Sequence, residues 1–92
     1  MSNSKDYCGI VFIGSSGASW EYASTPEEAA KRAAKRTKTD WKSLFEFKPK
    51  HELKVVLLDM KNHDGWYADH RGIFDSDTHK MIEPIGVKSV VV

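Results

Sequence analysis

The sequence predicts an α+β domain: one helix packed on one face of a mainly antiparallel sheet of about five strands, in the order β-β-α-β-β-β. Three observations predict it. The segment after Thr25-Pro26-Glu27-Glu28 carries alanines and cations at helical spacing. The flanking segments are short and either β-branched or alternating. Clusters of Gly, Ser, Asn and Asp separate them.

The first strand is expected over Tyr7 to Ile13, where Ile10, Val11, Phe12 and Ile13 form an almost continuous apolar run that suits burial on both faces. Gly14-Ser15-Ser16-Gly17 reads as a turn. Ala18 to Ala23 then alternates, with Ala18, Trp20 and Tyr22 on one side and Ser19, Glu21 and Ala23 on the other, so the pair forms a hairpin. Thr25 fits an N-cap and Pro26 the first helical position, where no N–H is needed. Glu28 stands where it can reach back to complete a capping box. At about 100° per residue, Ala29, Ala30, Ala33, Ala34, Thr37, Trp41, Leu44 and Phe45 share an inner arc, and Lys31, Arg32, Lys35, Arg36, Lys38 and Lys42 lie opposite. Asp40 falls inside the apolar arc, so a break is expected at Lys38-Thr39-Asp40, with a short second helix from about Asp40 to Phe45.

Pro49 ends the helical region. Leu53 to Met60 is strongly apolar and is expected at the centre of the sheet. Asn62-His63-Asp64-Gly65 forms a turn with Gly65 at positive φ. Trp66 to Phe74 is read as one strand interrupted by Gly72, and Asp75-Ser76-Asp77-Thr78 as the next turn. Lys80 to Ile85 and Val87 to Val92 are weaker strands, placed at an edge because Pro84 cannot donate to a ladder.

The 92 residues suit a single domain over 1–92, with residues 1–5 disordered. A chain this short buries a limited share of its surface, and association is a common remedy. A lone cysteine cannot form an internal disulfide, and no signal-peptide pattern opens the chain, so the cytoplasm is the expected compartment. No apolar run has membrane-spanning length, so no membrane partner is expected. The net charge of +1 argues against a bulk polyanion binder. The charge is nevertheless segregated, since residues 26–50 carry eight Lys/Arg against four Asp/Glu.

That segregation makes Lys31, Arg32, Lys35, Arg36 and Lys42 candidate contacts for an acidic protein surface or for phosphates, against the plainer reading of a solvated outer face. Trp66 and Tyr67 at a turn exit are candidate interface aromatics, whereas Trp20 and Trp41 are assigned to the core. His63, Asp64, Asp69, His70, Asp75, Asp77 and His79 are all metal-ligand or acid–base types within 17 residues, but their spacing matches no ligand pattern. Phe74-Asp75-Ser76-Asp77-Thr78 resembles the Asp-x-Asp motif of haloacid-dehalogenase-type phosphatases over those five residues. That family needs Thr or Val where this chain has His79, and a doubly wound domain that 92 residues do not supply. The Gly14–Gly17 turn lacks the Lys and following helix of a phosphate loop. Cys8 reads as a small core residue.

With no catalytic or metal-ligand spacing, no cofactor is expected. The leading expectation is a non-enzymatic small binding protein that covers the surface of a partner protein. In general style this is similar to the small inhibitor and accessory proteins of phages and mobile elements. The alternatives are nucleic-acid or nucleotide binding through the basic helix face and, behind it, a small metal-dependent hydrolase using His70, Asp75 and His79. The last strand, near an edge, also invites pairing with a second copy.

Overall fold

A computed structural model of the chain describes residues 5–13, 17–41 and 52–91. The elements are β1 (Tyr7–Ile13), β2 (Gly17–Ala23), α1 (Pro26–Asp40), β3 (Glu52–Asp59), β4 (Trp66–Asp69), β5 (Gly72–Asp75) and β6 (Gly86–Val91). This is the expected α+β class, with six strands divided between two sheets. Four antiparallel strands run in the order β2-β1-β3-β6, and β4 and β5 form a separate hairpin. β3 is central, as its apolar run requires, and β6 pairs with it at one edge, Val56 opposite Val87 and Leu53 opposite Val90.

The helix starts where the N-cap chemistry places it. The Thr25 hydroxyl accepts the Glu28 N–H at 3.2 Å. Glu28 does not complete the capping box, because its carboxylate takes the Arg32 guanidinium at 3.3 Å. The expected break at Lys38–Asp40 is absent: α1 runs on to Asp40, with Trp41 as C-cap. Asp40 tolerates its position because it leans out to Arg36 at 3.1 Å. The proposed second helix beyond Trp41 and the turn at Gly14–Ser16 lie outside the described residues, as do residues 1–4.

Ala29, Ala30, Ala33, Ala34 and Thr37 of α1 are fully buried. They rest on Val11, Ala23, Val55 and Leu57, flanked by Tyr7, Ile13, Leu53 and Val90. Each buried methyl-sized group contributes only about 0.8 kcal/mol, so the contact depends on closeness rather than bulk. Gly9 sets that closeness. A Cβ on Gly9 would stand 2.6 Å from the Ala29 carbonyl oxygen and 3.0 Å from its carbon. Thr37 turns its hydroxyl inward to the Ala33 carbonyl at 2.7 Å, which satisfies it within the buried face.

The opposite face of the sheet holds Cys8, Ile10, Leu58 and Met60, and the β4–β5 hairpin with Ile82 folds over them. The layers are therefore helix, four-stranded sheet and hairpin. Trp20 belongs to this second face and is partly exposed, so it is not the core residue expected of it. β2 alternates as anticipated, but its small side, Ser19 and Ala23, faces the helix, where bulky rings do not fit.

The region after β3 departs most from expectation. Trp66 to Phe74 is not one strand; it reverses at His70-Arg71, with Asp69 opposite Gly72. The Asp69 carboxylate accepts the Arg71 N–H at 2.8 Å and holds the turn. Positive φ falls on Gly72 (144°) and His79 (61°), not on Gly65. The expected strand at Lys80–Ile85 reduces to a bridge between Phe74 and Met81. Ile82 N–H then bonds the Ile73 carbonyl at 2.8 Å before the chain passes to β6.

The Gly9→Ala substitution is expected to push α1 off the sheet and to lower stability by about 1–3 kcal/mol. Gly86, with nothing within 4 Å of its Cβ position, is the control. Urea denaturation should show Gly86→Ala within about 0.5 kcal/mol of the parent chain.

Candidate functional site

The four described basic candidates on α1 divide into two pairs. Lys31 and Lys35 are exposed. Arg32 and Arg36 instead turn sideways onto β2. Arg32 donates to the Tyr22 carbonyl at 3.2 Å, and Arg36 to the Trp20 carbonyl at 2.9 Å. Arg36 also lies 5.6 Å from the Trp20 ring and 3.5 Å from the Glu21 carboxylate. The guanidinium fork suits this task, because one group can serve a carbonyl and a carboxylate together. Lys42, the fifth basic candidate, lies outside the described residues.

The aromatic candidates serve the hairpin. Trp66 is half-buried and donates its indole N–H to the Tyr22 hydroxyl at 3.1 Å. Its ring meets Trp20 edge-on at 5.5 Å. Trp66 thus clamps the hairpin to the sheet, and Tyr67, on the hairpin's other side, stacks on Phe74 at 5.4 Å. Trp41 is half-buried, as the inner stripe implies, and donates to the Ser19 hydroxyl at 2.8 Å. Cys8 is buried beneath the clamp, and burial is the main cause that pushes its thiol up to about 12. A thiol held in that state is a poor nucleophile.

The histidines and aspartates do not form one centre. Asp75 is buried and takes the His63 ring nitrogen on one carboxylate oxygen. Its other oxygen accepts the N–H groups of Asp77 at 2.7 Å and Thr78 at 3.0 Å. His63 first, then those two N–H groups, holds the carboxyl down at about 2. Asp75 is therefore the hub of the turn that leads into the bridge. His79 lies beside it and contacts the Tyr67 hydroxyl at 3.2 Å. His70 sits in the turn beyond the far end of β5, a strand whose length of about 10 Å separates that turn from Asp75. The convergence of His70, Asp75 and His79 that hydrolysis would need is not present. Among the described residues, no three His, Cys, Asp or Glu side chains are placed to hold a metal ion. Nor is any described helix long and apolar enough to cross a membrane.

The hairpin is shorter than the sheet it covers, and a cleft of about 420 Å³ opens along its rim. Phe12, Val56, Ile73, Met81, Ile82 and Pro84 form its apolar walls, and Asp69, His70 and Arg71 its polar mouth. Two of the exposed large apolar side chains line it, Phe12 at 44% and Met81 at 61%, whereas Trp20, Ile85, Val87 and Val91 are exposed elsewhere. Sequence reasoning missed this surface, although alternation along β1 places Phe12 with Cys8 and Ile10. What could not be read locally is how far the hairpin reaches across them.

Two measurements check this description. Asp75 has a folded-state value of about 2 against an ordinary 3.8, so its stabilising contribution is complete above the ordinary value and is lost as pH falls toward the lower one. Urea midpoints should accordingly fall more steeply across that interval in the parent chain than in Asp75→Asn. Alkylation of Cys8 at about pH 8 should follow the unfolding curve, with no fast phase in the folded protein. No family model, curated protein or solved structure matches this chain.

Proposed function

We propose that the chain is a non-enzymatic binding protein that takes an apolar segment of a partner protein into the cleft between sheet and hairpin. One observation carries the reading: two large apolar side chains that the fold leaves exposed, Phe12 and Met81, line one concave, mostly apolar site. A volume of about 420 Å³ lies in the range of ligand clefts. Phe12 and Met81 supply the exposed apolar area that dominates binding energy at such contacts. The mouth residues Asp69 and Arg71 pair at 2.9 Å and give the rim a fixed polar edge.

The nucleic-acid reading draws on Lys31 and Lys35, which point away from the fold. It loses weight because Arg32 and Arg36, the better phosphate ligands, are engaged with β2 carbonyls and with Glu28, Glu21 and Asp40.

Selection from a displayed peptide library is expected to enrich segments with aromatic or aliphatic anchors. Phe12→Glu should weaken the enriched peptides at least about tenfold, with circular dichroism unchanged. Failure to enrich, or peptides that bind Phe12→Glu equally well, would refute the cleft as the site. Oligonucleotide binding that falls steeply with salt and is lost in Lys31→Glu/Lys35→Glu would favour the second reading.

A further inference from the structure

The two edges of the four-stranded sheet are treated differently. β2 is closed by Arg32 and Arg36, which bond the outward carbonyls of Tyr22 and Trp20. β6 has no such cover among the described residues, and five of its six residues are exposed. An edge left bare in this way is a template for another strand.

The phase of β6 can be read from its neighbours. Ile85 N–H bonds the Leu57 carbonyl at 2.9 Å, so the polar groups of Leu57 point toward β6. In an antiparallel strand this orientation alternates. Leu57, Val55 and Leu53 therefore bond to Gly86, Lys88 and Val90, their register partners. The N–H and C=O groups of Val87, Ser89 and Val91 must point outward. The same alternation carried through β3 and β1 directs the Trp20 and Tyr22 carbonyls off the opposite edge, where the arginines take them.

We infer that β6 pairs antiparallel with β6 of a second copy of this chain, about a two-fold axis at Ser89, and joins two four-stranded sheets into one. In this register Ser89 faces Ser89, and Val87 faces Val91 of the other copy. Every outward N–H and C=O of Val87, Ser89 and Val91 finds a partner. The side chains of Val87 and Val91, exposed by 61% and 60%, become cross-strand pairs on the face opposite the helix. The neighbouring registers are poorer. A centre one residue earlier sets the ammonium groups of the two Lys88 side chains against each other, and one residue later sets Val91 against Ser89 and breaks the Val87–Val91 pairs. The strand edge is isologous, as a two-fold contact requires. None of Val87, Ser89 and Val91 lines the cleft, so it stands or falls independently of the peptide site.

Sedimentation velocity of the full chain over a concentration series tests the inference. The expected result is a reversible dimer whose dissociation constant rises at least about tenfold in Ser89→Pro, because proline removes an N–H that β3 does not use. Ser89→Cys gives a second test that does not depend on tolerance of proline. Facing residues in this register lie about 5.5 Å apart at Cα, within the span of a disulfide. Mild oxidation should cross-link Ser89→Cys and leave Lys88→Cys without a covalent cross-link, with Cys8 buried out of reach. A parent chain monomeric at all concentrations would overturn the inference. So would a dimer indifferent to Ser89→Pro, or cross-linking at position 88 in preference to 89.

Discussion

The closeness of α1 to β1 governs the arrangement of the rest. Gly9 lies directly under Ala29, and no side chain fits between strand and helix there. Small residues must therefore face the helix, Ala23 and Ser19 from β2 and four alanines from α1. Period-two alternation then sends Ile10 and Phe12 of β1 and Trp20 and Tyr22 of β2 to the other face. That face cannot be left open in water, and the β4–β5 hairpin covers part of it. The cleft is what the short hairpin does not reach. A packing constraint on one side of the sheet is in this way the origin of the candidate binding surface on the other.

The helix cations look like a row on a wheel, but they do different things. Lysine, a hydrated point charge on a flexible stem, is left in solvent at Lys31 and Lys35. Arginine is used where several acceptors must be held together, on the β2 carbonyls and nearby carboxylates. These exposed ion pairs contribute little one by one. Their effect is positional: they fasten the end strand to the helix and occupy acceptors that would otherwise face water or another chain.

Local chemistry made α1, β1 and β3 readable. Thr25-Pro26 marks a helix start through hydrogen bonds spanning a few residues, and the Ala stripe follows from the helical period. The apolar run of β3 implies a central place that register confirms. Alternation in β2 separated Trp20 from Ser19, yet it could not say which side meets the helix, because Gly9 and the alanines decide that from elsewhere in the chain. The reversal at His70-Arg71 was hidden by Gly72, which drew the break one position too late. Asp69 supplies the local bond that could have located it. The site was less legible than the fold. His63 and Asp75 are brought together across the hairpin, and the arginines bend toward acceptors ten to sixteen residues away. Such partners are set by tertiary geometry, which no short motif carries.

The edge-on contact of Trp20 with Trp66 joins a ring of the sheet to a ring of the hairpin, with centroids 5.5 Å apart. Lifting the hairpin from the sheet would change the surroundings of both indoles at once, so their near-ultraviolet signals follow that separation. The protein thus carries an intrinsic spectroscopic gauge of its third layer, readable without a label and distinct from the signal of the helix.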